Sequence, residues 1–166
     1  MKKTIIVTLL LAIGLMGLNG CNKEEKNPPP ALVNGTYTGS GTISFTDNGT
    51  TYTLPFLSLS IRNSNTITIS AQDEVTSKNI VLTLTASPLN VGTYKINSAN
   101  MGNSITYNAF SGASYSIAGS GGTMNLSKLT TSEIQGTFSA EIRPMSSWFG
   151  GTTASFTNGV INISYQ

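Results

Sequence analysis

The 166-residue chain has no histidine, a single cysteine, and few charged residues, which make up 10% of it. Without histidine, Ser-His-Asp and Cys-His catalytic arrangements are excluded, as are zinc sites of the Cys/His type. The single cysteine, Cys21, cannot form an internal disulfide. A P-loop, a Gly-x-Ser-x-Gly elbow and a Ser-x-x-Lys motif are also missing from the sequence. The sequence therefore lacks the common motifs for nucleophilic catalysis. It predicts a protein that is not an enzyme, with no catalytic residue, cofactor or metal.

The formal charge of +2 depends on two lysines at the amino terminus. Lys2 and Lys3 fall in a segment that we expect to be removed. The remaining chain carries seven basic and seven acidic residues, so it is neutral. Because no basic block is present to neutralise phosphates, the sequence predicts no nucleic-acid partner.

Residues 1–20 have the layout of a secretory signal peptide, with two lysines, an apolar stretch and then small residues. The apolar stretch covers residues 5–18, about 21 Å at helical rise, which is short of a hydrocarbon core of about 30 Å. We therefore expect a cleaved leader rather than a transmembrane helix.

The leader ends in Leu18-Asn19-Gly20-Cys21. This run resembles the lipobox of bacterial lipoproteins, in which the cysteine becomes the new amino terminus. The resemblance implies that Cys21 carries a diacylglyceryl thioether and an N-acyl chain. Two or more acyl chains make membrane attachment effectively permanent, at about 0.8 kcal/mol for each buried methylene. Cys21 is therefore predicted to be a lipid anchor and not a catalyst.

Residues 21–30 are predicted to form a lipidated, proline-rich tether. Lys23-Glu24-Glu25 resembles the surface-export signal of Bacteroidota lipoproteins, which implies an outer-membrane protein that faces the cell exterior. The alternatives are a generic solvated tether and a periplasmic orientation. Residues 28–30 are prolines, which favour a semi-rigid polyproline spacer.

Residues 31–166 are predicted to form one all-β domain, because apolar residues alternate with polar ones throughout. Turn-forming sequences divide this pattern into about 8–10 short strands, with Asn158-Gly159 as the best hairpin candidate and residues 119–122 as another turn. Pro55 suggests an edge or a bulge. The pattern indicates an antiparallel β-sandwich, with a small closed β-barrel as the alternative.

The carboxyl-terminal half carries a series of short motifs. It contains Gly-Thr-Tyr at 92–94, a glycine-rich run at 119–122, Ile-x-Gly-Thr-Phe at 134–138 and a closing strand at 159–163. The order of these motifs is similar to that in a family of uncharacterised Bacteroidota surface lipoproteins. That family has no settled activity, so the resemblance implies only the fold and the location.

A carboxylate-based enzyme was the remaining catalytic hypothesis. It requires a cleft in which Asp73, Glu74 or Glu141 meets other polar groups, and Glu133 and Glu141 would be about 27 Å apart along one strand. Asp47 sits in Asp47-Asn48-Gly49, which indicates a turn rather than a calcium site.

Residues 143–151 hold the only tryptophan, Trp148, next to Phe149. These aromatics are candidate ligand contacts that could stack on sugar rings or anchor a protein partner, or they could instead cover an open end of the fold. The sequence thus favours a lipid-anchored, non-catalytic binding or structural module of unknown ligand. The rival hypothesis is a glycan-binding accessory of a polysaccharide-uptake system.

Overall fold

The computed structural model describes residues 31–96, 102–108, 114–144 and 153–166. Their regular structure consists entirely of strands, ten in number within these ranges, which confirms the all-β prediction. No helix that is long and apolar enough to cross a membrane occurs in them. The strands are β1 (Gly35–Tyr37), β2 (Gly39–Asp47), β3 (Thr50–Arg62), β4 (Thr66–Asp73), β5 (Lys78–Thr85), β6 (Gly92–Ile96), β7 (Ser104–Asn108), β8 (Ser114–Leu129), β9 (Glu133–Pro144) and β10 (Ala154–Tyr165).

The strands form one antiparallel sheet that curls into a nearly closed barrel. Pairing runs β2–β3–β4–β5–β7–β8–β9–β10, and β10 returns to pair with β2. A sandwich would need two separate sheets facing each other. Of the two predicted architectures, the structure therefore has the barrel.

Two positions around the ring are occupied by pairs of short strands. β1 and β2, separated only by Thr38, lie along opposite halves of β3. β6 and β7 lie in the same way along β8, at residues 122–126 and 114–116 respectively. β6 pairs with no strand other than β8 within the described ranges, so a seam separates it from β5.

Alternate residues of each strand point inward and fill the barrel, as expected for a sheet with one buried face. Phe45 lies at the centre of an aromatic cluster at one end of this core. Its ring centroid is 4.6 Å from that of Phe156, 5.2 Å from that of Tyr107 and 5.6 Å from that of Tyr52. The interior is therefore packed with side chains rather than open as a channel.

The two ends of the barrel differ in what they carry. We call the end that carries the turns after β2 and β4 the hairpin end. In the β2–β3 turn, Asn48 and Gly49 both adopt positive φ. The N-terminal end has the β3–β4 turn and the start of the described chain. There the Ser64 hydroxyl donates to the Leu32 carbonyl at 2.8 Å, and the Ser64 N–H donates to the Asn34 side-chain oxygen at 2.9 Å. Residues 31–34 are thus fastened to the N-terminal end.

Three local predictions can be compared with the strands. Asn158-Gly159 is not a hairpin turn: it lies inside β10, where the register shifts. Residues 119–122 likewise lie inside β8. Both were misread because positive φ suits a β-bulge as well as a turn. Pro55 lies in β3 beside a register shift between Phe56 and Ser58, as the bulge prediction required.

Asn103 bridges the seam between β5 and β6. Its side-chain oxygen accepts a hydrogen bond from the Thr85 N–H at 2.8 Å, and its amide nitrogen donates to the Lys95 carbonyl at 3.0 Å. Asn103 is 4% exposed, so its polar side chain is buried. It satisfies two backbone groups that no neighbouring strand pairs at this point.

Leucine is close to asparagine in size but cannot form hydrogen bonds. Asn103→Leu therefore leaves the Thr85 N–H and the Lys95 carbonyl without partners, and we expect it to lower the free energy of unfolding by about 2–4 kcal/mol. Urea denaturation of the full chain measures this loss. Asn108→Leu is the matched control, since it removes one hydrogen bond on the outer face, to Asn79 at 2.9 Å. Its expected cost is about 1 kcal/mol or less. Equal losses for the two variants would show that Asn103 does not hold the seam.

Candidate functional site

A groove of about 540 Å³ runs across the outer face of β6, β8, β9 and β10. This volume lies within the range typical of small-molecule sites, although the groove is open. It lies nearer the hairpin end of the barrel, since Glu141 and Ser155 pair close to where their strands end. The side chains that line it from the outer face are Lys95, Thr123, Ser139, Glu141, Ser155 and Thr157.

Two irregularities of the sheet border the groove, one on each side of β9. On β8, residues 117–120 lie between two ladder pairs that enclose only Ile142 of β9. On β10, Thr157 and Asn158 lie opposite Ser139 alone, and Asn158 has φ of 51°. Such bulges are common next to functional sites because they redirect side chains and bend the strand. Their convergence on one strand marks this surface as the candidate site.

A glycine of β8 makes the floor of the groove. Gly121 pairs with Glu141 and has φ of 97°, a conformation that suits glycine. Gly122 pairs with the buried residues Ile96 and Ala140 and so faces the interior, where an added Cβ would lie 2.3 Å from the Ser139 carbonyl oxygen. On the outer face Gly121 has no side chain, so a hollow remains over β8 between the side chains of the flanking strands.

A line of hydroxyl groups crosses the groove from strand to strand. Thr123 pairs with Ser139, and their hydroxyls are 3.4 Å apart. Thr157, opposite Ser139, pairs with Thr46, whose hydroxyl lies 3.1 Å from that of Thr51. We call these five residues the hydroxyl row. Each hydroxyl can donate one hydrogen bond and accept others, so the row offers both functions to a ligand.

Two opposite charges flank the hollow. Lys95 lies on β6 next to Thr123, and Glu141 lies on β9 next to Gly121. Neither side chain has an ion-pair or hydrogen-bond partner within the described part of the chain. By contrast, Lys128 and Glu133, also on β8 and β9, form an ion pair with each other. As far as the structure describes its lining, the groove therefore presents one free ammonium group and one free carboxylate beside its hydroxyls.

This groove lies within a segment that a family model recognises. The model of a domain of unknown function, DUF6252, matches residues 41–163, which include every groove residue. The chain belongs to the DUF6252 family. Searches of curated proteins and of solved structures return no match for this DUF6252 chain.

The residues singled out for anchoring and ligand contact are not placed by the structure of this DUF6252 domain. Cys21 and the triplet Lys23, Glu24 and Glu25 lie outside the described residues. Trp148 and Phe149 also lie outside them, between the end of β9 and the start of β10. Their predicted roles remain predictions.

The carboxylates considered for catalysis are separated. Asp73 accepts hydrogen bonds from the Val75 N–H at 2.9 Å and the Thr76 hydroxyl at 2.6 Å, so it stabilises the β4–β5 turn. Glu141 lies on β9, four strands away from β4 in either direction around the ring. Within the described ranges, no three Cys, Asp or Glu side chains lie close enough together to bind a metal ion.

Sequence reasoning considered Glu141 only as a catalytic acid and missed Lys95 and the hydroxyl row. Residues 119–122 held the available signal, because glycines inside a strand often mark a bulge or a close approach of two backbones. Reading them as a turn divided β8 and concealed the groove. The pairing of Lys95 with β8 could not be foreseen, because β7 intervenes in the chain.

Asp47 and Asp73 lie at the hairpin end with carboxyl groups in opposite environments. Burial raises the pKa of Asp47, although the nearby Lys78 charge opposes this, and one Asp47 oxygen is buried without a partner. Lys78 itself lies 4.0 Å from the centre of the Tyr52 ring. The hydrogen bond from the Thr76 hydroxyl, with those from the 75–76 backbone, lowers the pKa of Asp73. Ionisation therefore weakens the fold at Asp47 and strengthens it at Asp73.

These two carboxyls should give opposite pH effects on stability. The ionised Asp47 carboxylate destabilises the fold, so stability falls as pH rises through the raised pKa of Asp47. Asp47→Asn, which cannot ionise, should therefore increase the melting temperature at pH 7. The increase should be less than about 4 °C, because the group is partly exposed. That gain should vanish below about pH 4, near the ordinary value of 3.8. Asp73→Asn should instead decrease the melting temperature at pH 7 and approach wild type as pH falls below that value. Thermal unfolding monitored by circular dichroism from pH 3 to 7 tests both, and shifts of the same sign would contradict the assignment.

Proposed function

We propose that this DUF6252 domain is a non-catalytic binding module, anchored to the outer membrane by lipid on Cys21 and exposed at the cell surface. One observation of the fold carries the proposal. Residues 31–34 are fastened to the N-terminal end of the barrel, and the groove lies towards the hairpin end. A tether that precedes residue 31 therefore joins the domain at the end away from its candidate binding surface.

The chemistry of the described residues supports binding rather than catalysis. The groove offers hydroxyls, one amine and one carboxylate, and the remaining carboxylates are either in turns, at the hairpin end, or paired with lysine. Acid–base or nucleophilic catalysis needs a reactive group within hydrogen-bond reach of a partner that activates it. Hydrogen bonding to a ligand needs only the free donors and acceptors that the groove supplies.

The lipid anchor can be tested on the native protein. Mass spectrometry of the membrane-extracted chain should find residue 21 as the amino terminus, with its sulfur acylated. Cys21→Ser should abolish this acylation, because the thioether needs the cysteine sulfur. An unmodified thiol on a chain that still carries residues 1–20 would refute the proposed anchor.

The outward orientation needs a separate measurement. Protease added to intact cells should degrade the wild-type domain. Replacing Lys23, Glu24 and Glu25 with alanine should leave the protein in the membrane fraction and protect it from protease, because the proposed export signal is lost. Lys26→Ala, a charge change in the same tether, is the matched control and should remain sensitive. Protection of the wild type would instead indicate the periplasmic orientation.

A further inference from the structure

We infer that the groove between the two bulges is a binding site for neutral carbohydrate, recognised through hydroxyl groups. This inference deepens the proposed function by naming its ligand class, and it rests on the domain being a binding module. It derives from the outer-face groups that the sheet brings together and does not involve Trp148 or Phe149.

The first step concerns the donors and acceptors. A sugar presents many hydroxyls that each donate and accept, so its site needs groups of both kinds. Thr123, Ser139 and Thr157 place hydroxyls on three adjacent strands, which are about 4.8 Å apart. The hydroxyl row is therefore matched to a ligand with hydroxyls spaced over several ångströms.

The second step concerns the two free charges. The Glu141 carboxylate has two oxygens that can accept hydrogen bonds from neighbouring hydroxyls of one sugar ring. The Lys95 ammonium can donate to a ring or hydroxyl oxygen on the other side of the hollow. Both groups lack side-chain partners in the described part of the chain, so a ligand would not have to displace an existing ion pair.

The third step concerns shape and net charge. Gly121 leaves the centre of the groove without a side chain, so a flat ring could approach the backbone of β8 there. Among the described side chains that line the groove, Lys95 and Glu141 carry opposite charges that cancel, and the chain from Cys21 onward is neutral as well. This described lining offers a polyanionic ligand no excess of positive charge, which favours an uncharged glycan over an acidic one.

A carbohydrate array probed with the lipidated chain tests the inference. The protein is extracted in a detergent without a sugar headgroup, and the array holds neutral oligosaccharides (glucans, mannans and galactans) beside uronic-acid and sulfated oligomers. We expect binding to at least one neutral class and none to the anionic ones. Titration calorimetry with the bound oligosaccharide then gives the affinity, which we expect to be weak because the groove is open.

Variants assign the binding to the groove. Glu141→Gln and the double change Thr123→Val with Ser139→Ala should each weaken binding by about tenfold or more, through lost hydrogen bonds. Glu133→Gln and Lys128→Met change the same residue types on the same face outside the groove and should leave affinity within about twofold. Circular dichroism melts of all variants identify any loss that comes from unfolding, and Lys95→Met gives an independent groove variant.

Several outcomes would overturn the inference: no neutral oligosaccharide binds, only anionic ones bind, or Glu133→Gln weakens binding as much as Glu141→Gln. These failures are distinguishable from failure of the proposed function. A chain that is lipidated and surface-exposed but binds no carbohydrate refutes the carbohydrate site and leaves the anchor intact. A chain that binds neutral carbohydrate but lacks the lipid refutes the anchor and leaves the site intact.

Discussion

Ring closure is the constraint on which the rest of this structure depends. A sheet that returns from β10 to β2 has to curl through a full circuit, and its hydrogen-bond ladder is interrupted at several register shifts along the way. One further interruption is the break between β6 and β7. There Asn103 supplies the hydrogen bonds that a continuous strand would have made to Thr85 and Lys95. A polar side chain is buried at this point because the alternative is two unsatisfied backbone groups.

The candidate site is a consequence of the same constraint. Residues 117–120 of β8 bulge relative to β9 near the break, and Thr157 and Asn158 bulge on the far side of β9. The bend of the sheet and the lack of a side chain at Gly121 together leave a groove on the outer face. The groove is built on strands rather than on loops, so its hydroxyls are held at spacings that the ladder determines.

The positions of the groove and of residues 31–34 at opposite ends of the barrel connect this site with the proposed anchor. Residues 31–34 are tied to the β3–β4 turn through Ser64, so a lipidated tether would meet the domain at that end. Membership of the DUF6252 family covers the strands that form the groove, from residue 41 to residue 163. Neutrality of the chain fits a ligand that is recognised by directed hydrogen bonds rather than by long-range attraction.

Local sequence determined which residues form strands and which side of each strand faces inward. Alternation such as Ile67, Ile69 and Ala71 predicts a strand with one buried face, because successive side chains point to opposite sides of a sheet, and these three are buried. The turn at Asn48-Gly49 was equally readable, since both residues adopt the positive φ that such pairs favour. The same reasoning misread Asn158-Gly159 and residues 119–122, because a residue with positive φ, here Asn158 and Gly121, occurs in bulges as well as in turns.

The tertiary structure alone decided how the strands close and what meets on the outer face. Sandwich and barrel have the same alternation, so the choice between them depends on pairings such as β10 with β2, which join residues far apart in the chain. Lys95 reaches Thr123 only because β6 pairs with β8, and Glu141 faces Gly121 only because β8 shifts its register against β9. The alternation of apolar and polar residues specifies which face of a strand is buried, but not which strands lie beside it. A binding surface made from several strands depends on which strands are neighbours.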